Sequence, residues 1–161
     1  MSMPIEIAQA LWTLECFLPE DWPGVACDAL EQGRDGPALR QLTGLLGPTH
    51  FDIRDLVPKA IADAGLHPIT ERTAAIRYAK FISQQIVDGG IKPLRGAIKL
   101  ARIFNSVIEC DSARSVFTRF YVLEDDYQLA AYGGGGRGTV EDVLANIREA
   151  ARKTLLLSED A

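Results

Sequence analysis

Between Thr73 and Ile108 two helix-like apolar periods are joined by Asp88-Gly89-Gly90-Ile91-Lys92-Pro93, and this join allows few folds. In the first half Ala75, Ala79, Ile82 and Ile86 recur at i, i+4, i+7 and i+11. In the second, Leu94, Ala97, Ala101, Phe104 and Ile108 keep one face apolar over about four turns. Gly89 and Gly90 suit the left-handed backbone that ends a helix, and Pro93 suits a first turn, where its missing N–H had no helical partner. The pattern predicts an antiparallel helical hairpin over 73–108.

Helical signals continue on both sides. Ile7, Ala8, Leu11, Leu14 and Leu18 mark a first helix over 4–17, after which Pro19 and Pro23 act as breakers and Asp21 is a candidate cap for a second. Pro37 opens a short helix after the turn 33–36, and Asp52 is a candidate cap for a segment 53–64 closed by Gly65. Pro58 either kinks that segment or marks its true first turn. Asp111 is a candidate cap for a helix into Glu124-Asp125-Asp126, with a further turn or two to Tyr132, although residues 117–123 are rich enough in β-formers to leave helix and extended chain both open. Thr139 and Asp142 form a capping-box-like pair before a last helix. The expectation is an all-α fold: one compact multi-helix bundle, a single domain over 1–161, with the hairpin at its centre and a Gly-rich flexible connection at 133–138.

A chain of 161 residues with 47% hydrophobic side chains can bury roughly 70% of its extended surface, which argues against disorder. No run approaches the ~20 apolar residues of a membrane helix, so no membrane partner is expected. Cys16, Cys27 and Cys110 are widely spaced and match no metal or disulfide pattern; they read as small buried hydrophobes. With no basic n-region at the N-terminus, the expectation is a reducing, cytoplasmic setting.

No group of residues forces a reaction. Gly133, Gly135 and Gly138 spell a dinucleotide fingerprint, but the buried strand and parallel sheet such a site needs are missing, and a loop is the better reading. Glu124, Asp125 and Asp126 point in different directions on a helix, which suits a solvated helix end rather than a metal site. His50 and His67 both neighbour prolines and lie far apart. No nucleophile elbow occurs, and no cysteine has a recognisable histidine partner. The expectation is therefore no catalytic residue, no metal and no cofactor.

Charge is distributed unevenly. Residues 1–70 hold four basic and ten acidic side chains, 71–102 hold seven and two, and 103–161 hold six and ten, within a net charge of −5. A basic hairpin lies between acidic flanks. Arg95, Lys99 and Arg102 fall at i, i+4 and i+7 of its second helix, and Arg77 and Lys80 sit together on the first. These five are the candidate partner-binding residues, for an acidic protein or for phosphates. They equally suit a face that is solvated or complemented by the chain's own acidic segments. A DNA-binding helix-turn-helix is disfavoured by the helix lengths and by the Gly-Gly and Pro of the turn.

Three stretches, Gly36 to Leu45, Ile53 to Leu66 and Ala79 to Ala97, resemble a group of small uncharacterised bacterial all-helical proteins, in which a helix ending I-V-x-G-x-I-x-P-x-x-G-A is the most recognisable piece. The resemblance covers residues 33–105 and implies a bacterial cytoplasmic origin, with no activity attached. Together these readings favour a non-enzymatic protein-interaction module of antitoxin-like or immunity type. The alternatives are a small-ligand or enzyme domain built from distant residues, and a nucleic-acid accessory protein using the basic hairpin face.

Overall fold

Helical periodicity in the sequence becomes helix throughout the computed structural model, which describes residues 3–107, 110–133 and 138–159. Among these residues there is no strand, and 117–123 is helical. The fold is all-α. Its helices group into two compact units, residues 1–70 and 71–161, a division that the sequence reading did not draw.

The first unit is built from short helices: α1 (Ile5–Thr13), a 3-10 turn (Pro19–Asp21), α2 (Trp22–Glu31), α3 (Pro37–Thr43), α4 (His50–Ile53) and α5 (Val57–Asp63). The acidic N-terminal flank thus has a core of its own, with Trp22, Leu39, Leu42, Ile53 and Val57 buried in it. α1 stops earlier than its apolar pattern because Glu15 takes a left-handed backbone (φ 56°), and the Cys16 N–H closes back on the Leu11 carbonyl at 2.9 Å. Asp21 stands at the N-cap of α2 but makes no side-chain cap, and burial followed by the neighbouring Glu20 pushes its carboxyl above the usual range. Pro23 lies in the first turn of α2 and breaks nothing. Asp52 caps no long helix: it is the third residue of α4, paired with Thr49 in a capping box. Pro58 marks the first turn of α5.

Short helices leave a large share of their backbone groups without helical partners. In this unit distant side chains supply them. The Asp63 carboxylate accepts from the Ala38 N–H (2.8 Å) and the Leu39 N–H (3.3 Å) at the start of α3. Arg34 donates to the Ala64 carbonyl (2.7 Å) at the end of α5 and pairs with Glu6 of α1. The buried Gln9 amide donates to the His67 carbonyl at 2.6 Å.

The second unit holds four longer helices, α6 (Glu71–Val87), α7 (Pro93–Ser106), α8 (Asp111–Tyr132) and α9 (Val140–Leu155). The predicted hairpin is α6 and α7, although its last residue, Ile108, lies outside the described residues. Its helices do not pair mainly with each other: α7 packs most extensively on α8, and α6 on α9. Ala79, Ile82, Ala97 and Ala101 are buried as expected. Phe104, expected in the core, is half-buried; its ring stacks on Tyr121 of α8 (centroids 4.4 Å apart) and lies under the Arg114 guanidinium at 4.3 Å. Glu124-Asp125-Asp126 is not a helix end, because α8 continues to Tyr132. The Thr139–Asp142 capping box starts α9. Of the Gly133–Gly138 connection, residues 134–137 lie outside the described residues.

The cysteines depart from the expectation that they are buried: Cys27 is exposed, Cys16 and Cys110 are half-buried, and none of the three forms a disulfide.

Candidate functional site

The basic hairpin has two faces with different fates. On α6, Thr73, Arg77 and Lys80 fall at i, i+4 and i+7, and all three grip the segment 157–159 that follows α9. The Thr73 hydroxyl donates to the Glu159 carbonyl (3.3 Å), Arg77 donates to the Glu159 carboxylate (2.8 and 3.1 Å), and the Lys80 ammonium donates to the Leu157 carbonyl (2.9 Å). Arg72 donates to the Ser112 carbonyl at the start of α8. The cations of α6 thus complement the unit's own acidic end. Arg77 and Lys80, two of the five candidate binding residues, are engaged within their own unit.

Arg95, Lys99 and Arg102 on α7 behave otherwise. All three are exposed, and among the described residues none forms an ion pair. They line an open groove with Gln85 of α6, Gly90 and Ile91 of the turn, and Ile98 of α7. Among the described residues no carboxylate lines it. Three positive charges along about 10.5 Å of helix therefore face solvent beside two isoleucines.

Local sequence explains why the groove opens there. Gly89 adopts φ 76°, letting the chain leave α6, and the Ile91 N–H donates back to the Gln85 carbonyl at 3.1 Å, tying the turn to the helix end. Pro93 starts α7. Three residues on, Gly96 is the point of closest approach: a Cβ there would lie 2.5 Å from Ile86 Cδ1 and 3.5 Å from Ile82 Cγ2. The inner side of α7, with Gly96, Ala97, Leu100, Ala101 and Ile103, is buried. Arg95, Lys99 and Arg102 fall on the opposite side by helical phase.

Sequence reasoning found the three cations and missed Gln85, Ile91 and Ile98. The seven-residue spacing of the two isoleucines was the available signal, but it begins in the turn and so fell outside the helical stripe. The other candidates remain apart. His50 is exposed and stacks on Phe17 (centroids 5.6 Å apart), while His67 is exposed and engages through its backbone carbonyl. Among the described residues no three His, Cys, Asp or Glu side chains are placed to hold a metal ion, and no helix is long and apolar enough to cross a membrane.

Comparison with protein-family models, with curated proteins and with solved structures returned no match.

Proposed function

We propose that this chain is a non-enzymatic protein-interaction module of the bacterial cytoplasm, whose α7 groove docks an acidic segment of a protein partner and so holds that partner in a neutralised state. The observation that supports this reading is the contrast within the hairpin. Cations on α6 are engaged by the chain's own carbonyls and Glu159, whereas Arg95, Lys99 and Arg102 stay exposed in a groove that, among the described residues, no carboxylate lines. Ile91 and Ile98 add apolar contact, which gives binding a component that charge alone lacks.

A labelled glutamate-rich peptide is the direct probe. Titrated against the intact protein, it is expected to bind at low salt and to weaken as ionic strength rises, because exposed charges are screened within about 10 Å at 0.1 M. Exchanging Arg95, Lys99 and Arg102 together for glutamine should weaken binding about tenfold or more while leaving the melting temperature nearly unchanged, as expected of exposed side chains. Undiminished binding in that variant, or a large fall in melting temperature, overturns the reading.

A further inference from the structure

A second surface in the same unit complements the groove in both charge and spacing. α8 buries Ala113, Phe117, Phe120 and Leu123, and its outward side carries Val122, Asp125, Leu129 and Tyr132, with Asp126 at the edge. Val122, Leu129 and Tyr132 are 37%, 45% and 84% exposed, an unusual amount of apolar side chain for one helix face. Val122 and Leu129 are seven residues apart, about 10.5 Å along the helix, with Asp125 and Asp126 between them. Arg95 to Arg102 spans the same seven residues on α7, beside Ile91 and Ile98. One face offers cations flanked by isoleucines, and the other offers carboxylates flanked by valine and leucine.

We propose that the α7 groove is occupied by the α8 face of a second copy of this chain, which rests on the acidic-partner reading and names the partner. In a two-fold arrangement each copy gives its α8 face and receives its neighbour's, so both contacts close at once and the assembly stops at a dimer. An outside acidic protein then gains access to the groove by displacing the second copy.

Reciprocity makes the test specific. Sedimentation equilibrium of the full chain at low salt is expected to show a concentration-dependent dimer that weakens in high salt. A groove variant, with Arg95, Lys99 and Arg102 changed to Gln, and a stripe variant, with Val122→Ser and Leu129→Ser, should each raise the dimer dissociation constant about tenfold or more. Circular dichroism of both variants checks that they remain folded; all five positions are exposed. Mixed in equal amounts, the two variants should form a heterodimer tighter than either homodimer, because the intact α8 of one meets the intact groove of the other. A wild type that stays monomeric at about 100 µM, or a mixture that gains nothing, overturns the proposal. If the glutamate-rich peptide still binds a monomeric wild type, self-occupancy alone falls; if it does not, the acidic-partner reading falls with it.

Discussion

The two units solve the same problem by different means. Residues 1–70 use helices of four to ten residues and stitch their ends with side chains drawn from elsewhere, namely Asp63 on α3, Arg34 on the end of α5 and Gln9 on His67. Residues 71–161 use helices of 14 to 22 residues, whose interior backbone groups satisfy each other, and combine close packing between helices with clasps confined to the start of α8 and the segment after α9. Short helices need polar clasps because their ends are most of their length. Long helices need shape, which is why a single missing Cβ at Gly96 matters in the second unit.

The largest expected effects test what the units share, a packed aromatic centre. Trp22→Ala in the first and Phe117→Ala in the second should each cost about 3–5 kcal/mol, since both rings are fully buried. Denaturant titration followed by tryptophan fluorescence, which reports the first unit only because both tryptophans lie there, and by circular dichroism, which reports both, shows whether each loss is confined to its own unit. A Phe117→Ala curve unchanged from wild type would remove the second unit's claim to depend on packing.

Two glycines sharpen the contrast. A Cβ at Gly36 would fall on the Asp63 side chain, so Gly36→Ala should displace that cap and cost about 1–3 kcal/mol. With Asp63→Gly already present there is neither a cap to lose nor a side chain to meet, and the same change should cost much less. Gly96→Ala meets Ile86 instead, and about 1 kcal/mol of improved helix propensity opposes the clash. The net loss should be smaller than at Gly36 and should largely vanish when measured in an Ile86→Ala background, which removes both colliding atoms, Cδ1 and Cγ1. Equal behaviour of the two glycine variants toward the two rescues would erase the distinction between clasp and shape.

Smaller effects run toward greater stability. Ser83 is fully buried in α6, and among the described residues its hydroxyl has no hydrogen-bond partner. Ser83→Ala is expected to stabilise by about 1 kcal/mol, and a lower melting temperature would show that the hydroxyl is satisfied. Glu15→Gly should relieve the left-handed strain at the end of α1 by about 1 kcal/mol, read as a higher denaturant midpoint.

The smallest expected effect depends on pH. The Thr139 N–H and hydroxyl hold the Asp142 carboxyl below its usual range. A carboxyl whose pKa is lowered by folding adds stability above its unfolded pKa, and that stability is lost as pH falls through the folded value. Asp142→Asn should therefore lower the melting temperature at pH 7, and the gap to wild type should close as pH falls through the carboxyl's lowered range. A gap that persists in acid would show that the carboxylate charge is not what the cap uses.

How much was legible varied with the range of the interaction. The all-α class, the hairpin, the Pro93 start of α7 and the Thr139 cap follow from neighbours within one or two turns, where spacing and proline or glycine chemistry decide the conformation. The role of Asp52 was misplaced by three residues because Thr49 competes for the same cap, and a local pattern does not rank the two. At the candidate site the cations of α7 were visible by phase, but Ile91 and Gln85 were not, since they reach the groove from the turn and from α6.

By itself, then, the sequence determined which segments are helices and which side of each is apolar, because those depend on contacts a few residues apart. Tertiary structure alone decided which of two similar basic faces is spent. Arg77 and Lys80 meet residues 157–159, and Arg95, Lys99 and Arg102 meet none of the described carboxylates. Nothing local distinguishes an arginine that will find a glutamate some eighty positions away from one that will not, since that partnership exists only once the helices have packed.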